Sequence, residues 1–277
     1  MLRTLLISII SLQLVTVAAQ TVKQAHGYAD SLLAARGYTT ALKEYRRVVF
    51  FGNDEYKKLA YPHIAECYLY KGEYKKAISY YDLAFNTQSN DSLRKEYILK
   101  KSLCYTLNKD YTLALGEIFG LKTNKSDHFE KRKNFHLGIL YFQTAEYEKA
   151  KEHIKVSVDT TDRVLAVRID SIFKANRKIE RLKPGVAQVL SLILPGLGQI
   201  YAGEIGKALN SLILTGGLAV LFVYTASTYS ILDAILGVFP WYQRYYIGGS
   251  THAGDMVRLK KKVRREKVYN RLIQTLQ

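Results

Sequence analysis

The chain has 277 residues, of which 48% are apolar, and a net charge of +17 at pH 7. This apolar content can build a core and excludes disorder as the main state, and the length allows one or two domains. Two short stretches, residues 163–183 and 255–277, supply +11 of the charge and bracket an apolar region. Basic residues on both sides of an apolar region are typical of membrane proteins, in which Lys and Arg lie at the lipid headgroups. Because no basic cluster stands out in the first 160 residues, we expect no nucleic-acid partner.

The N-terminal residues 1–19 have the pattern of a signal peptide. Arg3 precedes an apolar run that starts at Leu5 and ends in small residues up to Ala19. The pattern predicts cleavage before Gln20 and export of the residues that follow. An uncleaved anchor is the alternative, although the apolar run is short for a membrane span.

Four segments of the next part share a tyrosine followed three residues later by an alanine. The tyrosines lie at spacings of 36, 37 and 36 residues, and the pairs are Tyr38 and Ala41, Tyr74 and Ala77, Tyr111 and Ala114, and Tyr147 and Ala150. A small residue lies nine positions before each tyrosine, namely Ala29, Ala65, Ser102 and Gly138. A period of this length predicts stacked helix-turn-helix units.

This pattern resembles the tetratricopeptide repeat, best in "LGILYFQTAEYEKA" (137–150) and next in "IAECYLYKGEYKKA" (64–77). The resemblance covers residues 22–158 and implies four helix pairs that stack into a superhelix with a concave face. The repeated tyrosines and alanines are then packing residues. A helix over residues 159–183 is expected to cap the array and lead to the membrane.

The resemblance also implies where a partner binds, on the exposed positions of the inner helices. Carrying those positions over gives a groove formed by Leu69, Tyr70, Leu99, Leu103, Leu107, Phe135, Ile139 and Phe142, with His26, Asp30 and Leu33 in the first repeat. Such an apolar groove suits an extended or helical peptide rather than an acidic tail. The alternative is that neighbouring helices cover several of these side chains.

Cys67 and Cys104 occupy the same position in adjacent repeats. Stacked equivalent helices lie about 8–10 Å apart, whereas a disulfide needs Cα atoms within about 7 Å. We therefore expect two small buried apolar residues and no disulfide.

Residues 184–254 are predicted to form a membrane domain of two or three helices. An uncharged run over 208–227 has about the 20 residues that a bilayer core requires. The block before it is broken by Pro195, and the block after it contains Asp233 and ends in an aromatic cluster typical of a membrane interface: Trp241, Tyr242, Tyr245 and Tyr246. An apolar helical domain that is soluble is the alternative.

Small residues recur every four positions at Gly198, Ala202 and Gly206. In lipid such a face lets helices approach closely, so it predicts a tight hairpin and offers a surface for oligomers. Pro195 is expected to bend the first helix.

The string "LPGLGQIYAGEIGKAL" resembles a signature of small bacterial membrane domains with paired glycine-rich helices. The match is carried by Pro195, Gly196, Gly198, Gln199, Tyr201, Gly203 and Gly206. The resemblance implies a membrane location and no agreed activity. Gln199 and Tyr201 either form a polar site or bond across the hairpin. Asp233 is a functional candidate if it lies within the membrane, and an ordinary solvated carboxylate if it does not.

Membrane topology depends on the number of spans. Three spans would place the basic tail, residues 255–277, in the cytoplasm, in agreement with the positive-inside rule. Two spans would leave both basic stretches outside. We favour three spans because the tail carries the higher charge.

No catalytic motif is present: there is no zinc-binding HExxH, phosphate-binding glycine loop or nucleophile elbow. We therefore expect a protein that is not an enzyme and has no catalytic residues, cofactor or metal. The repeats and the apolar helices together predict an all-α fold. We expect a scaffold anchored in the bacterial inner membrane, with periplasmic repeats that bind a protein or peptide in envelope protein assembly or export. The alternative is a small channel or transport component that uses Gln199, Tyr201 and Asp233.

Overall fold

A computed structural model of the protein describes residues 21–124, 128–158 and 162–276. The predicted signal peptide, residues 1–19, lies outside these ranges. Every regular element within them is helical, which confirms the all-α prediction. The chain divides into two compact units, of which the first ends at Ser157 and the second begins at Val158.

In its described part, the first unit consists of eight helices that form four successive pairs. They are α1 (Val22–Ala34), α2 (Tyr38–Phe51), α3 (Asp54–Tyr70), α4 (Tyr74–Thr87), α5 (Asp91–Leu107), α6 (Tyr111–Gly120), α7 (His128–Gln143) and α8 (Tyr147–Ser157). Consecutive helices pack against each other throughout the unit. The predicted helical-repeat architecture is therefore confirmed.

The second helix of every pair begins at the repeat tyrosine. All four repeat alanines are fully buried, and the small residues predicted to face them are buried as well: Ala29, Ala65, Ser102 and Gly138. At Gly138 the approach is closest, because a Cβ atom there would lie 2.6 Å from Cδ1 of Ile154. The repeat is thus defined by close contact between the two helices of a pair.

The turn inside each pair contains one residue in the left-handed region, two positions before the tyrosine. The four residues are Arg36 (φ 60°), Gly72 (φ 76°), Lys109 (φ 67°) and Ala145 (φ 66°). The next amide donates back to the helix, as from Glu73 N to Tyr68 O at 2.9 Å, which is the hydrogen bond of a Schellman motif. Only one of the four positions holds glycine, although other residues are disfavoured there by about 1–2 kcal/mol.

Side-chain caps define where several first helices of the pairs begin. Asn53 accepts a hydrogen bond from Tyr56 N at 3.2 Å at the start of α3, and Asn90 accepts one from Leu93 N at 3.1 Å at the start of α5. Each cap satisfies an amide that has no partner within the helix. The sequence thus specifies these helix ends locally.

The second unit begins with a long helix and contains several short ones. Its described elements are α9 (Arg163–Glu180), α10 (Pro184–Ile193), α11 (Leu197–Tyr201), α12 (Ile205–Thr228), α13 (Ile231–Asp233), a π-helical turn (Ala234–Val238) and α14 (Phe239–Leu276). The expected helix over 159–183 is α9, which packs against α14 within this unit.

The first apolar block, which the three-span topology treats as a span, turns back on itself. α10 ends at Ile193, Gly196 takes a φ of 100°, and α11 runs back from there. The hydroxyl of Tyr201 accepts a hydrogen bond from Lys183 N at 3.2 Å, so the block starts and finishes at the same place. α10 and α11 therefore form a short helical hairpin, because Pro195 interrupts the helix rather than bending it.

The C-terminal basic stretch is helical and belongs to α14. Lys261 and Arg265 form ion pairs with Glu180 of α9, at 2.9 and 2.6 Å, and Leu272 is fully buried. Both basic stretches therefore lie together, on one side of any membrane that the chain crosses. This pairing favours the two-span alternative over three spans, since three crossings would separate the two stretches.

Among the described residues, α12 is the one helix that is long and apolar enough to cross a membrane. Its 24 residues correspond to about 36 Å of helix, against the roughly 30 Å of a bilayer core. Only 11% of its most apolar 18-residue stretch is buried. A core helix of a soluble protein would be mostly buried, so α12 leaves an apolar surface that needs a non-aqueous environment or a partner.

Candidate functional site

A cleft of about 440 Å³ opens between the first helices of the first two repeats, α1 and α3. We call it the Tyr70 cleft. Its lining residues are Asp30, Leu33, Ala34, Arg36, Tyr38, His63, Glu66 and Tyr70. It contains two carboxylates, aromatic rings, a histidine and Arg36 in one concave surface, which makes it a candidate site of the first unit.

Two stacked tyrosines form one wall of the cleft. The rings of Tyr38 and Tyr70 lie 4.8 Å apart with an angle of 14° between their planes. Tyr70 is 58% exposed, so this stack presents a flat aromatic surface to solvent. Tyr38 is the repeat tyrosine of the first pair and also contributes to packing, which fixes the position of the exposed ring.

Asp30 forms part of the cleft floor and is held by two neighbours. Its Oδ1 accepts a hydrogen bond of 2.6 Å from the hydroxyl of Tyr45, and its Oδ2 lies 3.1 Å from Nδ1 of His26. Burial, followed by the hydrogen bond to Asp30, raises the pKa of Tyr45, so this phenol stays a donor. The Asp30 side chain is still 47% exposed, and its carboxylate can therefore meet a ligand.

His63 and Glu66 form the opposite side of the floor. The ring of His63 stacks on Tyr45 at 5.3 Å, and burial lowers the pKa of His63 although Asp30 and Glu66 act in the opposite direction. His63 is therefore neutral at pH 7. Glu66 lies 4.0 Å from Nδ1 of His63 and 3.7 Å from Nζ of Lys100.

The arrangement is suited to recognition of a cationic side chain. Two carboxylates face the cleft beside a neutral histidine and an exposed tyrosine stack, and the cations nearby are Arg36 in the lining and Lys100, 3.7 Å from Glu66. A Lys or Arg of a partner could pair with Asp30 and Glu66 while its alkyl or guanidinium part lies on Tyr70. An acidic segment would meet repulsion from both carboxylates.

The structure places the residues of the predicted groove in three classes. Tyr70, Leu103 and Leu107 are exposed, Leu69 and Phe135 are half-buried, and Leu99, Ile139 and Phe142 are buried. The buried three contribute to packing, as when the ring of Phe142 meets that of Tyr147 at 5.2 Å. Of the first-repeat residues, Asp30 and Leu33 line the Tyr70 cleft, and His26 supports Asp30.

The groove prediction omitted five residues of the cleft: Ala34, Arg36, Tyr38, His63 and Glu66. Asp30 and Glu66 both lie eight positions before a repeat tyrosine, Tyr38 and Tyr74 respectively. The same position holds Leu103 in the third repeat. A comparison of charges at equivalent positions therefore shows that the first two repeats differ from the later ones.

In the second unit, the side chain of Gln199 in α11 forms hydrogen bonds to both α10 and α14. Its side-chain carbonyl accepts a hydrogen bond of 2.9 Å from Ser191, and its amide donates one of 3.0 Å to the carbonyl of Gly249. Gln199 is 1% exposed, and both ends of its amide are occupied. Together with Tyr201, which accepts from Lys183 N, it bonds across the unit, the second of the two roles considered for these residues.

The motif glycines have different roles. A Cβ on Gly198 would collide with Ala187 O and Ser191 Oγ and lie 2.8 Å from Ala253 Cβ, and Gly196 needs its left-handed backbone. Gly203 also has a positive φ, of 78°. Gly206 has open space around it. The chain leaves the helix after Tyr201, so Gly198, Ala202 and Gly206 do not form one continuous helix face.

Asp233 lies in the short α13 and is exposed. Among the aromatic residues that follow, the rings of Tyr242 and Tyr246 stack at 5.5 Å, and the Tyr246 hydroxyl donates to the carbonyl of Leu192. These rings therefore connect α14 to the end of α10.

Both cysteines are free and fully buried, which confirms that they are packing residues. Burial raises the pKa of Cys67 to about 11 and that of Cys104 to about 12, so neither is a reactive thiolate at neutral pH. Within residues 21–124, 128–158 and 162–276, no group of three or more His, Cys, Asp and Glu side chains is placed to hold a metal ion.

Comparison of the chain with family models, curated proteins and solved structures finds no match in any of the three.

Proposed function

We propose that the protein is a membrane-anchored scaffold whose tetratricopeptide-like repeats bind a protein segment through the Tyr70 cleft. The observation that carries the proposal is the cleft itself, in which Asp30, Glu66 and the exposed Tyr70 ring surround one concave surface. The partner segment carries a Lys or Arg that enters the cleft. This refines the apolar groove expected from the repeat resemblance.

The anchor in this proposal is the glycine-rich second unit, with α12 as its membrane-crossing helix. The exposed apolar length of α12 supports this, because so large an apolar surface is unfavourable in water. The resemblance of residues 186–226 to glycine-rich bacterial membrane domains supports the same location. The re-entrant backbone at Pro195 is compatible with membrane depth where it is covered by protein.

We place the repeats outside the inner membrane, in the periplasm, on the strength of the signal-peptide pattern. Long exported domains translocate largely regardless of their charge. Only five residues separate α8 from α9, about 18 Å when extended, which is too short to cross a bilayer. With α9 and the C-terminal stretch paired, residue 277 then lies on the same side as the repeats, so α12 crosses the membrane and the start of α14, which packs against α12, returns. Envelope protein assembly or export is the setting that this location favours.

The cleft is tested by photo-crosslinking in the native host. A photoreactive phenylalanine derivative replaces Tyr70 in the full-length chain, and the control carries it at Phe50, which is 80% exposed and lies outside the cleft. We expect a protein adduct from position 70 that Glu66→Gln reduces several-fold and Glu44→Gln leaves unchanged. Glu44 is an acid outside the cleft that pairs with Arg47.

An adduct at position 70 that is indifferent to Glu66→Gln would contradict recognition of a cationic side chain. Absence of any adduct specific to position 70 would remove the cleft from the proposal. The channel alternative has less support, since Gln199 and Tyr201 are engaged within the unit and Asp233 lines no described cleft.

A further inference from the structure

A second cleft, of about 430 Å³, opens between α12 and α14 in the second unit. We call it the α12–α14 cleft. Its lining residues are Gln199, Lys207, Asn210, Ser211, Leu214, Thr215, Arg244, Tyr245, Gly248, Gly249 and His252. It is separate from the Tyr70 cleft, and none of the roles proposed so far uses it.

The α12–α14 cleft carries positive charge with little compensation. Lys207 and Arg244 line it, and no Asp or Glu does. Glu204, at the N-cap of α12, lies 3.5 Å from Nζ of Lys207. For Arg244, no carboxylate of the described residues lies within ion-pair distance, and its guanidinium lies 6.0 Å from the centre of the Trp241 ring. A positive cleft of this kind attracts an anion.

Neutral hydrogen-bond donors stand beside the basic groups. The Asn210 amide and the Ser211 hydroxyl line the same cleft, whereas Gln199 already donates to Gly249. Arg and Lys combined with hydroxyl and amide donors are the usual partners of phosphate oxygens. The chemistry of the cleft therefore fits a phosphate group better than an apolar ligand.

The cleft lies where charged residues give way to apolar ones. Lys207 is the last charged residue before the uncharged run of α12, and Leu209, Leu212 and Ile213 are exposed apolar residues of that helix. On α14 the cleft adjoins Trp241, whose ring lies 6.0 Å from the guanidinium of Arg244. A ligand with a phosphate and acyl chains would match both parts of this surface.

We propose that the α12–α14 cleft binds the phosphate headgroup of an anionic phospholipid, whose acyl chains lie on the exposed apolar face of α12. Lys207 and Arg244 hold the phosphate, and Asn210 and Ser211 donate to its oxygens. The inference rests on the proposed membrane anchoring. The shared chemistry is a phosphate anion, for which a soluble phosphate compound is the other source.

The test uses the full-length protein in a nonionic detergent. Dioctanoyl-phosphatidylglycerol, dioctanoyl-phosphatidylcholine and inorganic phosphate are added in separate titrations. Binding is followed by the fluorescence of Trp241, the single tryptophan of the chain, and independently by native mass spectrometry of retained lipid. The variants are Arg244→Gln and, as a matched control, Arg258→Gln, since Arg258 is on the same helix, pairs with Asp255 and lies outside the cleft.

We expect phosphatidylglycerol to bind at least about 10-fold more tightly than phosphatidylcholine, and Arg244→Gln to remove most of this difference while Arg258→Gln keeps it. Equal binding of the two lipids, or equal losses in the two variants, would overturn the proposal. Tight binding of inorganic phosphate that depends on Arg244 and displaces the lipid would make a soluble anion the ligand and overturn the lipid assignment.

The outcome is separable from that of the anchoring proposal. A chain that stays in the membrane fraction after alkaline washing but shows no lipid preference retains its anchor and loses only this inference. A chain released by that washing loses the anchor itself.

Discussion

The two units of the molecule obtain close helix packing in different ways. In the repeats, the small-residue position accepts Ala, Ser or Gly, and the left-handed turn position holds Arg, Gly, Lys or Ala. In the second unit, Gly196 and Gly198 stand where backbone or side-chain atoms leave no space for a Cβ. Burial in water drives the repeats together and tolerates this variation. In the membrane location that we propose for the second unit, helices associate through close contact itself.

This comparison predicts the largest effect at Gly198. Gly198→Ala should destabilise the second unit by about 3 kcal/mol or more, because the new methyl group collides with Ala187 and Ser191. The thermal midpoint of the full chain in detergent, followed by Trp241 fluorescence, measures this loss. Gly206→Ala is the control, with open space around the site; an equal loss in that variant would remove the packing explanation.

In the repeats, the expected loss of stability on replacing a packed glycine is lower. Gly138→Ala should destabilise the fourth pair by about 1–3 kcal/mol, because Ile154 must move away from the new Cβ. Gly116→Ala, in an exposed part of α6 with no atom nearby, should instead gain about 0.5–1 kcal/mol in helix stability. Hydrogen exchange of peptides from α7 and α8, compared with those from α6, separates the two effects. Similar losses of stability in Gly138→Ala and Gly116→Ala would contradict this packing explanation.

His136 gives the repeats a dependence on pH. Burial, and then the nearby Arg132, lower its pKa to about 4, against about 6.5 when unfolded. As the pH falls below about 6.5, the unfolded chain takes up a proton that the folded chain refuses, so stability falls. Between pH 7.5 and 5.0 the wild type should lose about 2 kcal/mol more than His136→Asn.

Urea unfolding at the two pH values, followed by circular dichroism, measures this difference. His63 and His153, whose pKa values are also lowered by burial, are present in both chains and cancel in the comparison. A pH dependence identical in the two chains would show that His136 titrates normally.

The turns provide the smallest expected effect. Gly72→Ala should cost about 1 kcal/mol, since alanine disfavours a φ of 76°. Lys109→Gly, at the equivalent position of the third pair, should gain up to about 1 kcal/mol. Changes in urea midpoint report both, and the same sign in the two variants would contradict the role assigned to the turn.

How far the sequence predicts the structure depends on the distance between the interacting residues. The helix pairs follow from a local period, and every second helix begins at its tyrosine. Leu99, Ile139 and Phe142 are buried because neighbouring helices cover them. The position of a residue within its repeat does not show which neighbours will cover it. The pairing of Arg265 with Glu180 joins residues 85 positions apart, so charge counts along the chain could not show that the two basic stretches lie together.

The Tyr70 cleft was predictable in part. Asp30 and Tyr70 belong to the predicted groove, and Glu66 has the same register as Asp30. The stacking of His63 on Tyr45, which keeps that histidine neutral, requires the packed structure. Likewise, hydropathy identifies the apolar run of α12 but does not show that α10 and α11 fold back on each other as a hairpin.

The central claim is that the second unit anchors the repeats to a membrane through α12. Washing isolated membranes with alkaline carbonate and probing for the full-length chain tests this most directly. We predict that the chain remains in the membrane pellet and is released only by detergent. Recovery of the intact chain in the carbonate supernatant would contradict the claim.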